Sequence, residues 1–129
     1  MNVSANFIAL PLQPKDSLNI TLPIIILLAK NVSLVAIQLD KYFCFEVEVL
    51  DDKGFRRTFK CCNFQSITRI KPFFCSMPLK LDEGWNEIQF NLQEFCQKAF
   101  GTNYAKTCRV KVYANCRLAR IYFNDRSYP

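Results

Sequence analysis

Histidine is absent from the 129 residues, which removes the commonest general base and the commonest metal ligand. Glycine is nearly as scarce. Three scattered residues cannot write a P-loop or a dinucleotide fingerprint, both of which need clustered glycines to cradle phosphate. The seven cysteines (Cys44, Cys61, Cys62, Cys75, Cys96, Cys108 and Cys116) include one adjacent pair and no CxxC. An odd count so arranged is a poor disulfide framework and a poor zinc site, and it suits a reducing cytoplasm. No cofactor and no metal site is predicted.

Targeting signals are missing as well. Met1 to Leu12 has neither a basic n-region nor a long apolar h-region, so the N-x-S/T triplets at Asn2, Asn19 and Asn31 are read as silent. The longest apolar run, Leu22 to Ala29, contains Pro23 and is followed by Lys30 and Asn31. Extended through Leu39 it reaches membrane length, but a central lysine costs roughly 2.5–3.5 kcal/mol on insertion. Two strands around a polar break are the better reading, with no membrane partner.

What is present is a globular composition. Half the residues are hydrophobic, 22% are charged, and twelve phenylalanines dominate the aromatics. That is enough for one domain with a real core. Lys and Arg exceed Asp and Glu by six, with a pI near 9.0. The excess suits an acidic partner, or serves solubility alone.

Alternation is the strongest local signal. From Tyr42 to Val49, Phe43, Phe45, Val47 and Val49 form one face while Glu46 and Glu48 fall on the other, as in a half-buried strand. Asp51-Asp52-Lys53-Gly54 is turn chemistry, and Phe55 to Cys62 alternates again, so the pair reads as a hairpin. Trp85 to Leu92 turns Ile88, Phe90 and Leu92 inward. One short helix follows, capped by Asn91, carrying Glu94, Phe95, Cys96, Ala99 and Phe100, and stopped by Gly101. Thr107 to Ala114 and Arg117 to Phe123 give two last strands. Leu22 to Ala29 reads as a buried strand, Val32 to Leu39 is ambiguous, and Asn63 to Lys80 is irregular around Pro72 and Pro78. The fold class is all-β: an antiparallel β-sandwich or jelly roll with one short helix, as a single domain over residues 1–129.

Catalytic readings are weak. Asp51-Asp52 and Asp82-Glu83 are paired carboxylates beside turn glycines, where backbone geometry recruits Asp without any chemistry. For the vicinal Cys61-Cys62 the expectation is one thiol in the core and one at the surface. The chain is read as a non-enzyme with no small-molecule substrate. Trp85 is the natural sugar-stacking candidate, but a lone Trp opening a strand reads more simply as a core plug. Arg117 to Arg126 mixes cations with Tyr122 and Phe123, yet has no RNP-like motif, so nucleic acid is disfavoured. A sugar- or nucleic-acid-binding β-sandwich is the alternative to a protein-binding one. The basic residues Arg56, Arg57, Lys60, Arg69, Lys71, Arg109, Lys111, Arg117 and Arg120 would make one cationic, partner-binding face if their elements were neighbours.

Several blocks carry a more specific signal: Lys41-Tyr42-Phe43, Phe45-Glu46-Val47, Val49-Leu50-Asp51-Asp52-Lys53, Thr68-Arg69-Ile70-Lys71-Pro72-Phe73, Gly84-Trp85-Asn86-Glu87-Ile88-Gln89-Phe90-Asn91-Leu92, Gly101-Thr102-Asn103-Tyr104, Ala114-Asn115-Cys116-Arg117, Tyr122-Phe123 and Asp125-Arg126. At this spacing they resemble the cilia- and flagella-associated protein 20 family, almost continuously from Tyr42 to Tyr128. Asn2-Val3-Ser4, and Leu22-Pro23 through Lys30-Asn31, resemble it more loosely. The resemblance implies a jelly roll shaped like carbohydrate-binding modules and used as a structural protein. Its expected place is the cytoskeleton: the axoneme at the inner junction of the doublet microtubule, with some members at basal bodies and in the nucleus. It implies tubulin and the parkin-coregulated protein as partners, and no catalytic residue. Against the family pattern the chain is expected to lack N-terminal strands and the C-terminal tail, and to carry an insert at Val32 to Gln38. Open sheet edges would then lower stability.

Overall fold

A computed structural model describes residues 7–11, 16–31, 43–63, 65–80, 84–114 and 117–125. Val32 to Leu39, and with it the expected insert, lies outside the described residues, as does the Asp82-Glu83 pair.

Among the described residues, nine strands and one helix follow in the order β1 (Phe7–Leu10), β2 (Ile24–Asn31), β3 (Phe43–Asp51), β4 (Arg56–Cys62), β5 (Arg69–Lys71), β6 (Phe74–Pro78), β7 (Gly84–Asn91), α1 (Leu92–Phe100), β8 (Tyr104–Ala114) and β9 (Arg117–Asn124). They build two sheets: a six-stranded one in the order β1-β8-β3-β4-β6-β5, and a three-stranded one in the order β7-β2-β9. All pairings are antiparallel except β4 with β6. The expected all-β sandwich is what forms.

The alternation read from the sequence decides which side chains meet. Phe43, Phe45, Val47 and Val49 of β3, Phe59 and Cys61 of β4, Cys75 and Met77 of β6 and Val110 and Val112 of β8 line the inner face of the large sheet. Ile25, Leu27 and Ala29 of β2, with Ile88 and Phe90 of β7, oppose them from the small sheet. Ile24 and Ile26 are buried too. Burial on both faces explains why β2 reads as a continuous apolar run instead of an alternating one.

The helix carries the chain from the small sheet to the large one. Asn91 caps it as expected, its side chain accepting from Glu94 N at 3.1 Å, and Gly101 ends it in the left-handed region at φ 68°. Leu92 and Cys96 are buried, and Phe95 stacks on Phe90 with ring centroids 4.0 Å apart. Phe59 meets Phe90, Phe95 and Phe100, so helix and both sheets share one aromatic core.

Two local expectations change. The irregular stretch after Asn63 contains β5 and β6, which are short and extend the large sheet beyond β4. Trp85 is not a core plug: it is 50% exposed, because alternation with the buried Ile88 and Phe90 turns it, like Glu87, to the other side of β7.

Candidate functional site

The outer face of the large sheet is built by register. One line across the strands runs Lys111, Glu46, Lys60, Ser76 and Arg69; the next runs Arg109, Glu48, Thr58, Phe74 and Lys71. Arg56 stands one step beyond Thr58 on the same face and pairs with Glu48. Six of the expected cations therefore share a surface: Arg56, Lys60, Arg69, Lys71, Arg109 and Lys111. Glu46 and Glu48 sit among four of them, and a depression of about 210 Å³ lies over Glu46, Glu48, Thr58, Phe74, Arg109 and Lys111. Lys60 reaches over the Tyr113 ring at 5.9 Å, and Tyr113 donates to Glu46 Oε2 at 3.0 Å. Burial, and then that bond, push the Tyr113 phenol up to about 12. At the centre of the face the two carboxylates offset part of the charge of the four cations around them. Arg69 and Lys71 add two more cations at the β5 edge, where all three residues are exposed.

Three of the nine cations are elsewhere. Arg117 and Arg120 have their backbones in β9, which belongs to the small sheet and pairs with β2. The last two strands are not neighbours, so the single cationic face expected from them does not form. Arg57 is the second correction. It alternates with Phe59 and Cys61, points inward and is only 9% exposed.

Arg57 instead organises one end of the sandwich. Its Nε donates to Asp51 Oδ2 at 2.8 Å, and its Nη1 donates to the Pro72 carbonyl. The guanidinium lies 5.2 Å from the Phe55 ring centroid, 5.1 Å from Phe73 and 4.7 Å from Phe100. Such contacts favour a weakly hydrated, planar cation. Asp51 Oδ1 also accepts from Lys53 N at 3.0 Å and Phe55 N at 2.8 Å, closing the turn in which Gly54 takes φ 84°. Burial alone would raise the Asp51 pKa. The bonds from Phe55 N, Arg57 and Lys53 N outweigh it and hold the carboxyl below its ordinary value. The buried Thr102 Oγ1 has no hydrogen-bond partner among the described residues. Asp52 ties the same turn to the loop after α1, accepting from Asn103 N at 3.0 Å and Asn103 Nδ2 at 2.9 Å. The paired carboxylates of this turn are structural.

Around this buried cation the surface is apolar. Phe55 and Phe73 are 48% and 53% exposed with ring centroids 5.6 Å apart, and Ile70 on the same β5–β6 hairpin is 56% exposed. A groove of about 400 Å³ runs between Arg57, Ile70, Lys71, Pro72, Ala99 and Phe100. Contiguous exposed apolar surface with a polar rim marks interaction sites, and nothing in the residue pattern alone pointed to it. Its rim holds Lys71. Sequence reasoning missed the patch because Phe55 and Phe73 meet only once β4 and β6 are paired.

Among the described residues no group of three potential ligands could hold a metal ion, and no helix is long and apolar enough to cross a membrane.

Comparison with known proteins adds a family. The sequence pattern of the CFA20 domain matches residues 1–129. The chain is 57% identical to a protein named cilia- and flagella-associated protein 20 from Paramecium tetraurelia, over 98% of this chain and 63% of the relative. It is 55% identical to the protein of that name from Chlamydomonas reinhardtii, with the same coverage, and 49% identical to the one from Caenorhabditis elegans, over 98% of this chain and 59% of the relative. The chain thus spans less than two thirds of the length of these curated relatives.

Proposed function

The chain belongs to the CFA20 domain family, and from that premise we propose that it is a non-enzymatic structural protein of cilia and flagella that works by holding surfaces together. The finer reading is a link between the A- and B-tubules at the inner junction of the doublet microtubule, supporting motility and assembly. Tubulin is one neighbour and the parkin-coregulated protein another. The names of the relatives support the ciliary association.

The observation that carries the binding role is the apolar patch of Phe55, Ile70 and Phe73 beside the exposed cations Arg69 and Lys71. Apolar area supplies affinity, while unpaired surface charge selects an acidic partner and speeds encounter. Tubulin is acidic in this reading, and the β5 edge is the element that meets it.

Co-pelleting with microtubules tests the proposal. Binding is expected to fall steeply as salt rises, because exposed charges are screened within about 8 Å at physiological ionic strength. Arg69→Glu with Lys71→Glu is expected to weaken pelleting at low salt, and Ile70→Asp to weaken it at every salt concentration. Pelleting unchanged in both variants would overturn the assignment of this surface. Arg57 is unsuitable for such a test, since its loss would disturb the fold.

One observation favours a second reading, a sugar-binding sandwich: Trp85 is exposed. Against it, neither described depression includes Trp85. As the chain's only tryptophan, it reports cleanly. A saturable fluorescence change on titration with soluble oligosaccharides would support this reading, and a flat titration would remove it.

A further inference from the structure

A third line across the outer face of the large sheet, next to Lys111–Glu46–Lys60, runs Tyr113, Cys44, Cys62 and Pro78. Cys44 of β3 and Cys62 of β4 are direct register partners, and their side chains leave the sheet on the same side. The pair also occupies the favourable kind of antiparallel position. Asn63 N donates to the Phe43 carbonyl at 3.0 Å, which makes Phe43 and Asn63 a hydrogen-bonded pair and the next step, Cys44 with Cys62, a non-hydrogen-bonded one. Opposed Cα atoms in such a pair stand about 4.5 Å apart, inside the roughly 4.4–6.8 Å that a disulfide spans. We propose that Cys44 and Cys62 are a redox-active dithiol that closes to a disulfide across β3 and β4 when it meets a hydroperoxide.

The surroundings divide the roles. The two thiols act on each other in opposite directions: the neighbouring Cys44 thiol, and then the Lys60 ammonium, lower the Cys62 pKa, whereas Cys44 is pushed up by Cys62 and by burial. Cys61, Cys75 and Cys96 are pushed up by burial. Cys62 is the nucleophile and Cys44 the resolving thiol. Lys60 starts on β4 and reaches Tyr113 on β8, so its chain crosses β3 at the level of Cys44 and Glu46. The dithiol therefore lies beneath a flexible side chain and a ring, and both thiols are buried. Only a small oxidant passes such a cover.

The chemistry balances in two steps. The Cys62 sulfur attacks one peroxide oxygen; the S–O bond forms, the O–O bond breaks, and the second oxygen leaves as water or alcohol with the thiol proton. Cys44 sulfur then attacks the sulfenic sulfur, forming S–S and releasing water with the Cys44 proton. Two electrons pass from the thiols to the peroxide.

Neither Cys61 nor Cys75 faces another cysteine in register. Cys61 points to the opposite face, opposed by Phe45 and Met77, and Cys75 is opposed by Phe59 and Ile70. The expectation that Cys61-Cys62 places one thiol in the core and one at the surface is corrected here: both are buried, on opposite faces of one strand.

The test is peptide mapping of the full reduced chain after hydrogen peroxide, thiol blocking and trypsin digestion without reductant. The expected product joins Tyr42–Lys53 to Cys61–Arg69 at two hydrogens below the summed mass plus one blocking group on Cys61, and it disappears on adding dithiothreitol. In Cys61→Ser the link persists; in Cys62→Ser and in Cys44→Ser it is lost. Two peptides left unlinked in the wild-type chain would overturn the proposal whatever the variants do. A link surviving Cys62→Ser would assign the oxidation to Cys61 and overturn it equally.

Discussion

Arg57 is the residue on which local charge and local pattern disagree. Its charge places it at the surface; its alternation with Phe59 and Cys61 places it inside, and the pattern wins because Asp51 is there to receive it. Removing one partner of a buried, hydrogen-bonded pair leaves the other charge stranded, at a cost of about 3–5 kcal/mol. Arg57→Ala is expected to lose that much in urea unfolding, and Arg57→Lys to rescue only part, since an ammonium cannot hold Asp51 and Pro72 while lying flat against three rings. Asp51 adds a pH dependence. Its folded pKa lies below the ordinary 3.8, so its contribution is complete above that value and is lost as pH falls through the lower folded value. Acid unfolding of Asp51→Asn should start from a lower plateau and show a shallower slope in that window. Equal slopes in both chains would show that other carboxylates govern the transition.

Elements were legible where a short-range pattern sufficed. The β3–β4 hairpin follows from two alternating runs around a glycine turn, and α1 from Asn91, Glu94 and Gly101. These signals make quantitative predictions: Asn91→Ala should cost about 1 kcal/mol through the lost cap. Gly101→Ala should cost about 1–2 kcal/mol through the left-handed backbone, since a Cβ there meets nothing within 4 Å. Chemical unfolding of each variant measures both, and a cost above about 3 kcal/mol for Gly101→Ala would point to packing that the open space around it does not provide. Strands β5 and β6 were illegible for the opposite reason. They are short, adjoin Pro72 and Pro78, and β6 joins the sheet by a parallel pairing that no hairpin signal announces. The candidate face was half legible, because alternation told which side each cation takes but not which strands would be neighbours. Only pairing between distant residues places β8 beside β3 and sends β9 to the other sheet.

At the scale of the whole molecule, one core joins the two sheets through the aromatic cluster of Phe45, Phe59, Phe90, Phe95 and Phe100. Phe59→Ala should cost about 3–5 kcal/mol and lower the midpoint of a single cooperative transition. A separate early transition in that variant would instead mean that the small sheet unfolds alone. The pairing of the first strands with the last has a consequence for synthesis. Strand β2 is apolar on both sides, yet its neighbours β7 and β9 begin some sixty and ninety residues later (Gly84 and Arg117 against Ile24). On the ribosome, at about 5–20 residues per second, β2 stays uncovered for about 5–20 seconds until β9 has been made. The yield of this protein in a cell is thus tied to whatever shields Ile24 to Ala29 while the chain is being made.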